Sequence, residues 1–353
     1  MGNTEERLLS QRSRRLERYT RQLLLAEIGK EGQEKLLAAH AAVIGCGALG
    51  SVVASSLVRA GVGRVKIVDR DYIELSNLQR QILFDEEDIA RGLPKAVAAA
   101  EKLRRVNSDV SIEPLVTDVN PDNVEEIIGD VDLVLDGTDN FETRFLINDA
   151  CVKHDIPWVY GAVIATYGMT MAIIPHSTPC FRCFLAKMPP PGSTPTCDTV
   201  GVLGPAVNIV ASLEVTEGFK LLMGKEKELH RRLIYVDVWA GTLERLELGK
   251  RGDPCPACDL GRFEFLEARE GSYLTRLCGR DAVQVNVRGK AEVPFPDLAR
   301  RLSSVGQVTF NDYMLRFRVD SYELTLFPDG RTIIKGTADE TVARSLYARY
   351  IGL

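Results

Sequence analysis

The chain has 353 residues, 45% of them hydrophobic and 26% charged, enough to bury a full core and, at usual domain sizes, about two domains. A formal net charge of −5 excludes the global basic field that holds nucleic-acid backbones. The opening residues, Met-Gly-Asn-Thr-Glu-Glu followed by Arg12, Arg14, Arg15 and Arg18, lack the apolar run of a signal peptide or membrane helix, and Glu6 breaks the myristoylation pattern. The expectation is a cytoplasmic protein that meets a protein or a small molecule, with neither nucleic acid nor membrane as partner.

In chain order, residues 7–39 carry helical spacing in Leu16, Leu23, Leu24, Ile28, Leu36 and Leu37, which predicts one or two helices leading into the core. A short apolar run at 41–45 then ends in glycines and is followed by a helical stretch to Ala60 and a second strand at 65–69, a β-α-β unit. Alternation continues with a helix over 94–106, a strand at 111–116, a helix at 121–128, a strand at 131–136, a helix at 141–154 and a strand at 158–162. Such alternation predicts a doubly wound α/β sheet. Further strands, of antiparallel type, are expected at 166–175 and 233–247. Between them stand the proline-rich loop Pro189–Pro195 and a nearly all-apolar, buried helix at 205–223. Strand-like alternation at 283–287, 314–319, 322–327 and 331–335, closed by a helix at 338–350, predicts a separate small α+β domain.

Eight cysteines without an export signal are expected to be thiols or metal ligands. Four form two C-x-x-C pairs, Cys180/Cys183 and Cys255/Cys258. Two such knuckles complete a tetrahedral Zn²⁺ site with no open position, so the zinc is structural; the competing use of a C-x-x-C is thioredoxin-like redox chemistry. Cys46, Cys151 and Cys278 read as apolar packing residues. Cys197, just after the proline-rich loop, is either a reactive thiol or a loop thiol with no role.

Gly45-Cys-Gly47-Ala-Leu-Gly50 follows a strand and opens a helix, the context in which this pattern lets a backbone approach a phosphate. Asp69 ends the second strand, where a carboxylate can hold a ribose hydroxyl pair. Taken alone, these features suit a dinucleotide oxidoreductase. The polar loop Asp69-Arg-Asp71-Tyr-Ile-Glu-Leu-Ser-Asn77-Leu-Gln79-Arg80-Gln81 argues otherwise, because an arginine there and Lys95, in Gly92-Leu-Pro-Lys95, can clamp a triphosphate. Against this, Lys95 can be a solvated helix residue and Asn77 a turn former. In Asp136-Gly-Thr-Asp139-Asn140, at another strand end, Asp139 can carry Mg²⁺ or cap the next helix, a task that Asn140 can take instead.

Arg18-Tyr-Thr-Arg21-Gln, the glycine turn, Asp69-x-Asp71, Ser76-Asn77-Leu-Gln-Arg80, Lys95, Asp136-x-Thr-Asp139-Asn140 and the two cysteine pairs occur in that order across roughly residues 15–262. Together they resemble the MoeB/ThiF/HesA family, relatives of the ubiquitin-activating enzymes. The resemblance implies ATP bound by Gly45, Gly47, Gly50, Asp69 and Asp71, phosphates held by Asn77, Arg80 and Lys95, and magnesium on Asp139. It implies a homodimer in which Arg21 reaches the neighbouring subunit's site, although Arg21 can equally be a surface charge. Cys197 is similar to a loop cysteine that in some members takes part in thioester or acyl-disulfide chemistry. The implied reaction is adenylation of the C-terminal glycine carboxylate of a ubiquitin-like sulfur-carrier protein ending in Gly-Gly, of the ThiS or MoaD kind. Another protein, such as a cysteine desulfurase, would then supply sulfur. A tRNA-modifying dehydratase is the nearest rival within the same chemistry.

The expected architecture is thus a Rossmann-like, mostly parallel sheet with added antiparallel strands and a zinc knuckle over residues 1–262, its first 39 residues helical. A small α+β domain of unassigned role over 272–353 completes it.

Overall fold

A computed structural model describes residues 16–189, 197–248, 254–267, 274–276, 281–285 and 293–351. The described residues divide into two compact units: those within 1–90, 94–194 and 202–268 form the first, and those within 91–93, 195–201 and 269–353 the second. Cys278 and most of the proline-rich loop lie outside the described residues.

Among the described residues the first unit is built on eight strands: β1 (His40–Ile44), β2 (Arg64–Val68), β3 (Ser111–Leu115), β4 (Leu133–Asp136), β5 (Trp158–Ile164), β6 (Tyr167–Ile173), β7 (Leu233–Asp237) and β8 (Thr242–Leu246). Their order is β3-β2-β1-β4-β5-β6-β7-β8. The first five run parallel and the last three add on in antiparallel pairs. β1 is buried along its whole length, as a central strand covered on both faces must be. The strand order reverses between β1 and β4, and crevices at such reversals, beyond the carboxyl ends of the strands, receive ligands in open α/β sheets.

Helices Ala48–Ala60 and Gly204–Leu222 pack together, the longer one also lying against β4, β5 and β6. The apolar 205–223 segment is buried on one face only: Ala206, Val207, Val210, Ala211 and Val215 are inside, while Ile209 is exposed. Its uniform hydropathy hides this division. The helix Phe141–Lys153 belongs to a core with Val134, Trp158, Tyr160 and Phe181, which also takes in Cys180, Cys255, Ala257 and Leu266. Phe145, Trp158 and Tyr160 each bring a ring within 6.0 Å of the Phe181 ring. The cysteine knuckles are therefore anchored by aromatic packing on the sheet. The stretch 233–247 proves to be the hairpin β7–β8 rather than one strand, turning at Trp239–Gly241, with Gly241 at φ +70°.

In the second unit, β9 (Leu274–Arg276), β10 (Ala282–Val285), β11 (Gln307–Phe310), β12 (Leu315–Val319), β13 (Tyr322–Leu326) and β14 (Thr332–Lys335) form an antiparallel sheet ordered β11-β12-β13-β14-β10-β9. One face, with Val283, Phe317, Leu324 and Ile334, forms a core with Phe295, Leu298, Ala343 and Tyr347 of the helices Phe295–Leu302 and Glu340–Tyr350. Asp339 caps the last helix, accepting from the N–H groups of Thr341 and Val342, a satisfied pair of otherwise unpartnered donors. The helix Phe295–Leu302 and strand β11 are additions to the elements expected from sequence, where Pro294, Pro296 and Gly306 interrupt the periodicity that would announce them.

Candidate nucleotide site at the sheet edge

Gly45 leaves β1 at φ +89°, a conformation in which any other residue is strained. Its N–H donates to Val68 O at 2.7 Å, and the N–H of Gly137 donates to Ile44 O at 2.8 Å, so the loops after β1 and β4 lie back to back. A side chain on Gly50 would stand 1.9 Å from Gly45 O, so the turn can close only around glycine. At Gly47 the nearest atoms to such a side chain are Gln81 Nε2 at 3.8 Å and Gly137 O at 4.0 Å. Gly47 also serves as N-cap of the helix Ala48–Ala60 with no side-chain cap. A helix start without a side-chain acceptor, behind a residue that leaves room, is a fitting cradle for an anion.

Asp69 is buried just beyond β2. Its Oδ2 accepts the Cys46 N–H at 2.6 Å and its Oδ1 the Asp71 N–H at 2.7 Å, tying the glycine turn to the polar loop. Burial pushes this carboxyl above the usual range, Lys95 opposes that and Asp71 adds to it. Lys95 is not a solvated helix residue. It opens the helix Lys95–Val106 behind Pro94, its side chain is only 5% exposed, and its ammonium lies 3.3 Å from Asp71 Oδ2. The backbone holds it there too, through Lys95 N–H to Asp71 O at 2.9 Å. A buried ammonium beside two carboxylates is costly to desolvate, which argues for a purpose beyond stability.

Asn77 is 1% exposed and is indeed a turn former, its Oδ1 accepting the Glu74 N–H at 3.0 Å. That bond uses the oxygen alone. Its Nδ2 is buried and, among the described residues, has no hydrogen-bond partner. Arg80 is half-buried and donates through Nη1 to Ser76 O at 2.9 Å. Its guanidinium thus rests on its own turn, one residue before the Gln81 side chain that faces Gly47.

Asp139 is exposed, and Asn140 rather than Asp139 caps the helix Phe141–Lys153, accepting the Thr143 N–H at 2.8 Å. Capping therefore does not account for Asp139. Its charge and that of Asp71 both act on Arg70, whose Nη1 pairs with Asp118 at 2.7 Å, so the two acids share one electrostatic neighbourhood. The loop carrying Asp139 is fixed from beneath. Arg144 donates through Nε to Asp136 Oδ2 at 2.9 Å and through Nη2 to Thr138 O at 2.6 Å and Gly161 O at 3.1 Å; the other oxygen of Asp136 accepts from the Thr138 N–H and hydroxyl. Beside this network lies Glu214, fully buried, with neither carboxyl oxygen hydrogen-bonded among the described residues. Burial and the nearby Asp136 raise its pKa well above the ordinary value. Sequence reasoning missed Arg144 and Glu214; a charged residue inside an otherwise buried helix face was the available signal.

The four cysteines converge. Cys180 Sγ lies 3.8 Å from Cys183 Sγ and 3.6 Å from Cys255 Sγ, Cys183 Sγ lies 3.3 Å from Cys258 Sγ, and all four fall within 4.8 Å of one another. Zinc–thiolate bonds in a tetrahedron set sulfurs roughly 3.8 Å apart, so the set fits Zn²⁺, and a lone redox pair does not describe it. Elsewhere, Tyr19 is buried with its hydroxyl accepting from Asn107 Nδ2 at 2.9 Å, and Gln22 bonds Gln33 at 2.9 Å. These inward anchors leave Arg21, on the helix Thr20–Leu23, exposed. Cys197 opens the short helix Cys197–Val200, is partly exposed, and falls in the segment grouped with the second unit, not with the glycine turn.

A doubly wound domain with a glycine turn at its switch point and a four-cysteine knuckle defines a nucleotide-binding α/β protein. Residues 19–257 match the ThiF family, and the chain belongs to that family. It is 45% identical over 337 residues to the sulfur carrier protein ThiS adenylyltransferase of Bacillus subtilis, covering 95% of this chain and 99% of that protein. It is 41% identical over 249 residues to the sulfur carrier protein adenylyltransferase of Thermus thermophilus, covering 69% and 90%. The SAMP-activating enzyme E1 of Haloferax volcanii is 39% identical over 259 residues, with 73% and 94% covered. Among solved structures, E. coli MccB with ATP superposes with a TM-score of 0.55 at 22% identity, over 65% of this chain and 69% of that one, a likeness of fold.

Proposed function

We propose that this protein adenylates the C-terminal glycine carboxylate of a ubiquitin-like sulfur-carrier protein at the expense of ATP, releasing pyrophosphate. The observation that carries the reading is the convergence on one sheet edge of the glycine turn, the buried Lys95–Asp71 pair and the exposed Asp139, in a family whose relatives are carrier adenylyltransferases. A hydride-transfer role has no use for that cation and acid.

Carboxylate and α-phosphate are both anionic, so their approach needs fixed positive charge and alignment. In this reading Asp69 holds the ribose, the backbone at Gly47 and the Asn77 amide cradle phosphate, and Lys95 and Arg80 neutralise it. Arg80 must leave Ser76 to do so. Asp139 offers the hard oxygen ligand that Mg²⁺ takes, and the ion would neutralise phosphate charge there. Cys180, Cys183, Cys255 and Cys258 would hold Zn²⁺ as a structural pin.

The carrier, of the ThiS or MoaD kind, lies on the exposed sheet face at β7–β8, where β8 is exposed throughout and Trp239 is 80% exposed, and sends its Gly-Gly tail toward Gly45–Gly50. A homodimer brings Arg21 to the neighbouring site. A sulfur nucleophile furnished by a donor such as a cysteine desulfurase, or the Cys197 thiol of this chain, then attacks the acyl carbon, forming the C–S bond and expelling AMP. The setting is cytoplasmic; among the described residues no helix is long and apolar enough to cross a membrane. The test is ATP–pyrophosphate exchange with purified carriers. Exchange should require the carrier's terminal glycine and fall on the order of 10²–10³ in Lys95→Ala; exchange indifferent to the carrier would overturn the reading.

A further inference from the structure

The chain reaches Lys95 by a broken path. The helix Glu86–Arg91 ends at Gly92, which takes φ +61°, and Leu93 and Pro94, both buried, lead directly into the next helix at Lys95. These three residues set the direction in which the Lys95 side chain leaves the backbone. On the downstream side they are held by antiparallel pairing of Pro94 with Tyr72 and by the Lys95 N–H donating to Asp71 O at 2.9 Å. The upstream hold comes from Asn311, in the turn between β11 and β12. Its Nδ2 donates to Arg91 O at 3.0 Å and to Gly92 O at 3.1 Å, carbonyls that the end of a helix leaves without intrahelical donors. The Oδ1 of the same amide accepts the N–H groups of Tyr313 at 2.9 Å and Met314 at 3.0 Å. Both donors and both acceptor positions of the amide are thus in use. The oxygen shapes the turn, an ordinary task that an aspartate would perform equally. The nitrogen is committed to residues 91 and 92, which, like Asn311, belong to the second unit.

We propose that Asn311 is a positioning residue for Lys95, its amide fixing the lead-in whose path delivers the ammonium to the nucleotide phosphates. This rests on the adenylation reading and gives the turn between β11 and β12 a task in it. Placement is what the reaction demands of a cation: a shift of about 1 Å, even from a change far from the chemistry, can cost on the order of 10²-fold in rate. Lysine carries its charge on a flexible four-carbon stem, so its aim depends on the backbone behind it. A glycine in the left-handed region adds little stiffness of its own, and the two bonds from Asn311 supply the restraint that selects one path.

The experiment measures carrier-dependent pyrophosphate exchange by full-length wild type, Asn311→Asp and Gly92→Ala, each change made alone and combined with Lys95→Ala. Asn311→Asp keeps the acceptors of the turn and removes both donors. Gly92→Ala leaves Asn311 in place but sets a Cβ 3.2 Å from its Nδ2 at a positive φ, disturbing the same grip from the other side. Each should lower kcat/KM for MgATP by about tenfold or more, with the KM for the carrier within about twofold of wild type. In the Lys95→Ala background the same changes should alter the rate by less than about twofold, because a residue that acts through Lys95 then has nothing left to position. A merely structural role would take the same factor from both backgrounds, and that result overturns the inference. So does exchange by Asn311→Asp within about twofold of wild type, or failure of both variants to fold. Wild type that shows no carrier-dependent exchange would instead remove the adenylation reading, and this inference with it.

Discussion

At the scale of single residues, the environment of each charged group says more than its identity. Lys95, Asn77 and Asp139 are ambiguous in sequence because each has an ordinary structural use. Burial of the Lys95 ammonium on Asp71, the leftover Asn77 donor and the capping of the helix by Asn140 rather than Asp139 make those ordinary uses insufficient. Glu214 shows in sequence only as a charged residue on an apolar helix face, since only the folded chain places its carboxyl beside Asp136. It also makes a pH prediction. Its folded pKa stands above the ordinary 4.5, so the folded state keeps a proton that the unfolded chain has released. The associated stability is complete below the unfolded pKa and is lost as pH rises toward the folded one. Each tenfold difference in proton affinity between the two states is worth about 1.4 kcal/mol. Glu214→Gln should therefore match wild type near pH 4 and melt progressively higher than wild type toward pH 8; parallel curves across that range would contradict the assignment. Arg80→Ala should cut carrier-dependent exchange on the order of 10²–10³, and near wild-type exchange would remove Arg80 from the site.

At the scale of elements, the parallel strands and their crossovers are legible in sequence because their apolar runs end in residues with a visible task, such as Gly45, Asp69 and Asp136. The β7–β8 hairpin and the one-sided burial of Gly204–Leu222 are not, because hydropathy records composition along a segment and not the neighbours that cover it. The cysteine knuckles are legible as metal ligands, but their packing on the aromatic core is not. That packing yields a prediction: one zinc per chain by elemental analysis, and a melting temperature several degrees lower in Cys258→Ala, since breaking the site releases Phe181 and Leu266 from their packing. Unchanged stability with metal lost would separate the knuckle from the core. Gly161→Ala tests the other side of the sheet, where its Cβ would meet Glu214 Oε2 at 2.4 Å. A loss of about 1–3 kcal/mol by overpacking is expected in urea denaturation, relieved when Glu214 is shortened to Ala.

At the scale of the molecule, the sheet order does the organising: reversal between β1 and β4 puts the glycine turn and the Asp136–Asp139 loop back to back, so that residues far apart in sequence meet at one edge. Sequence motifs name most of these residues but not the supports beneath them, Arg144 and Glu214. Beyond the Asn311 turn, the six-stranded sheet described in the second unit, and the helices Phe295–Leu302 and Glu340–Tyr350 packed on it, have no part assigned in this chemistry. The central claim is that the edge forms a mixed anhydride between a peptide carboxylate and AMP. Intact-mass measurement of a Gly-Gly carrier incubated with the protein and MgATP tests it most directly. The account predicts a carrier heavier by one AMP, with pyrophosphate released in equal amount; an unmodified carrier with ATP split to ADP would contradict it.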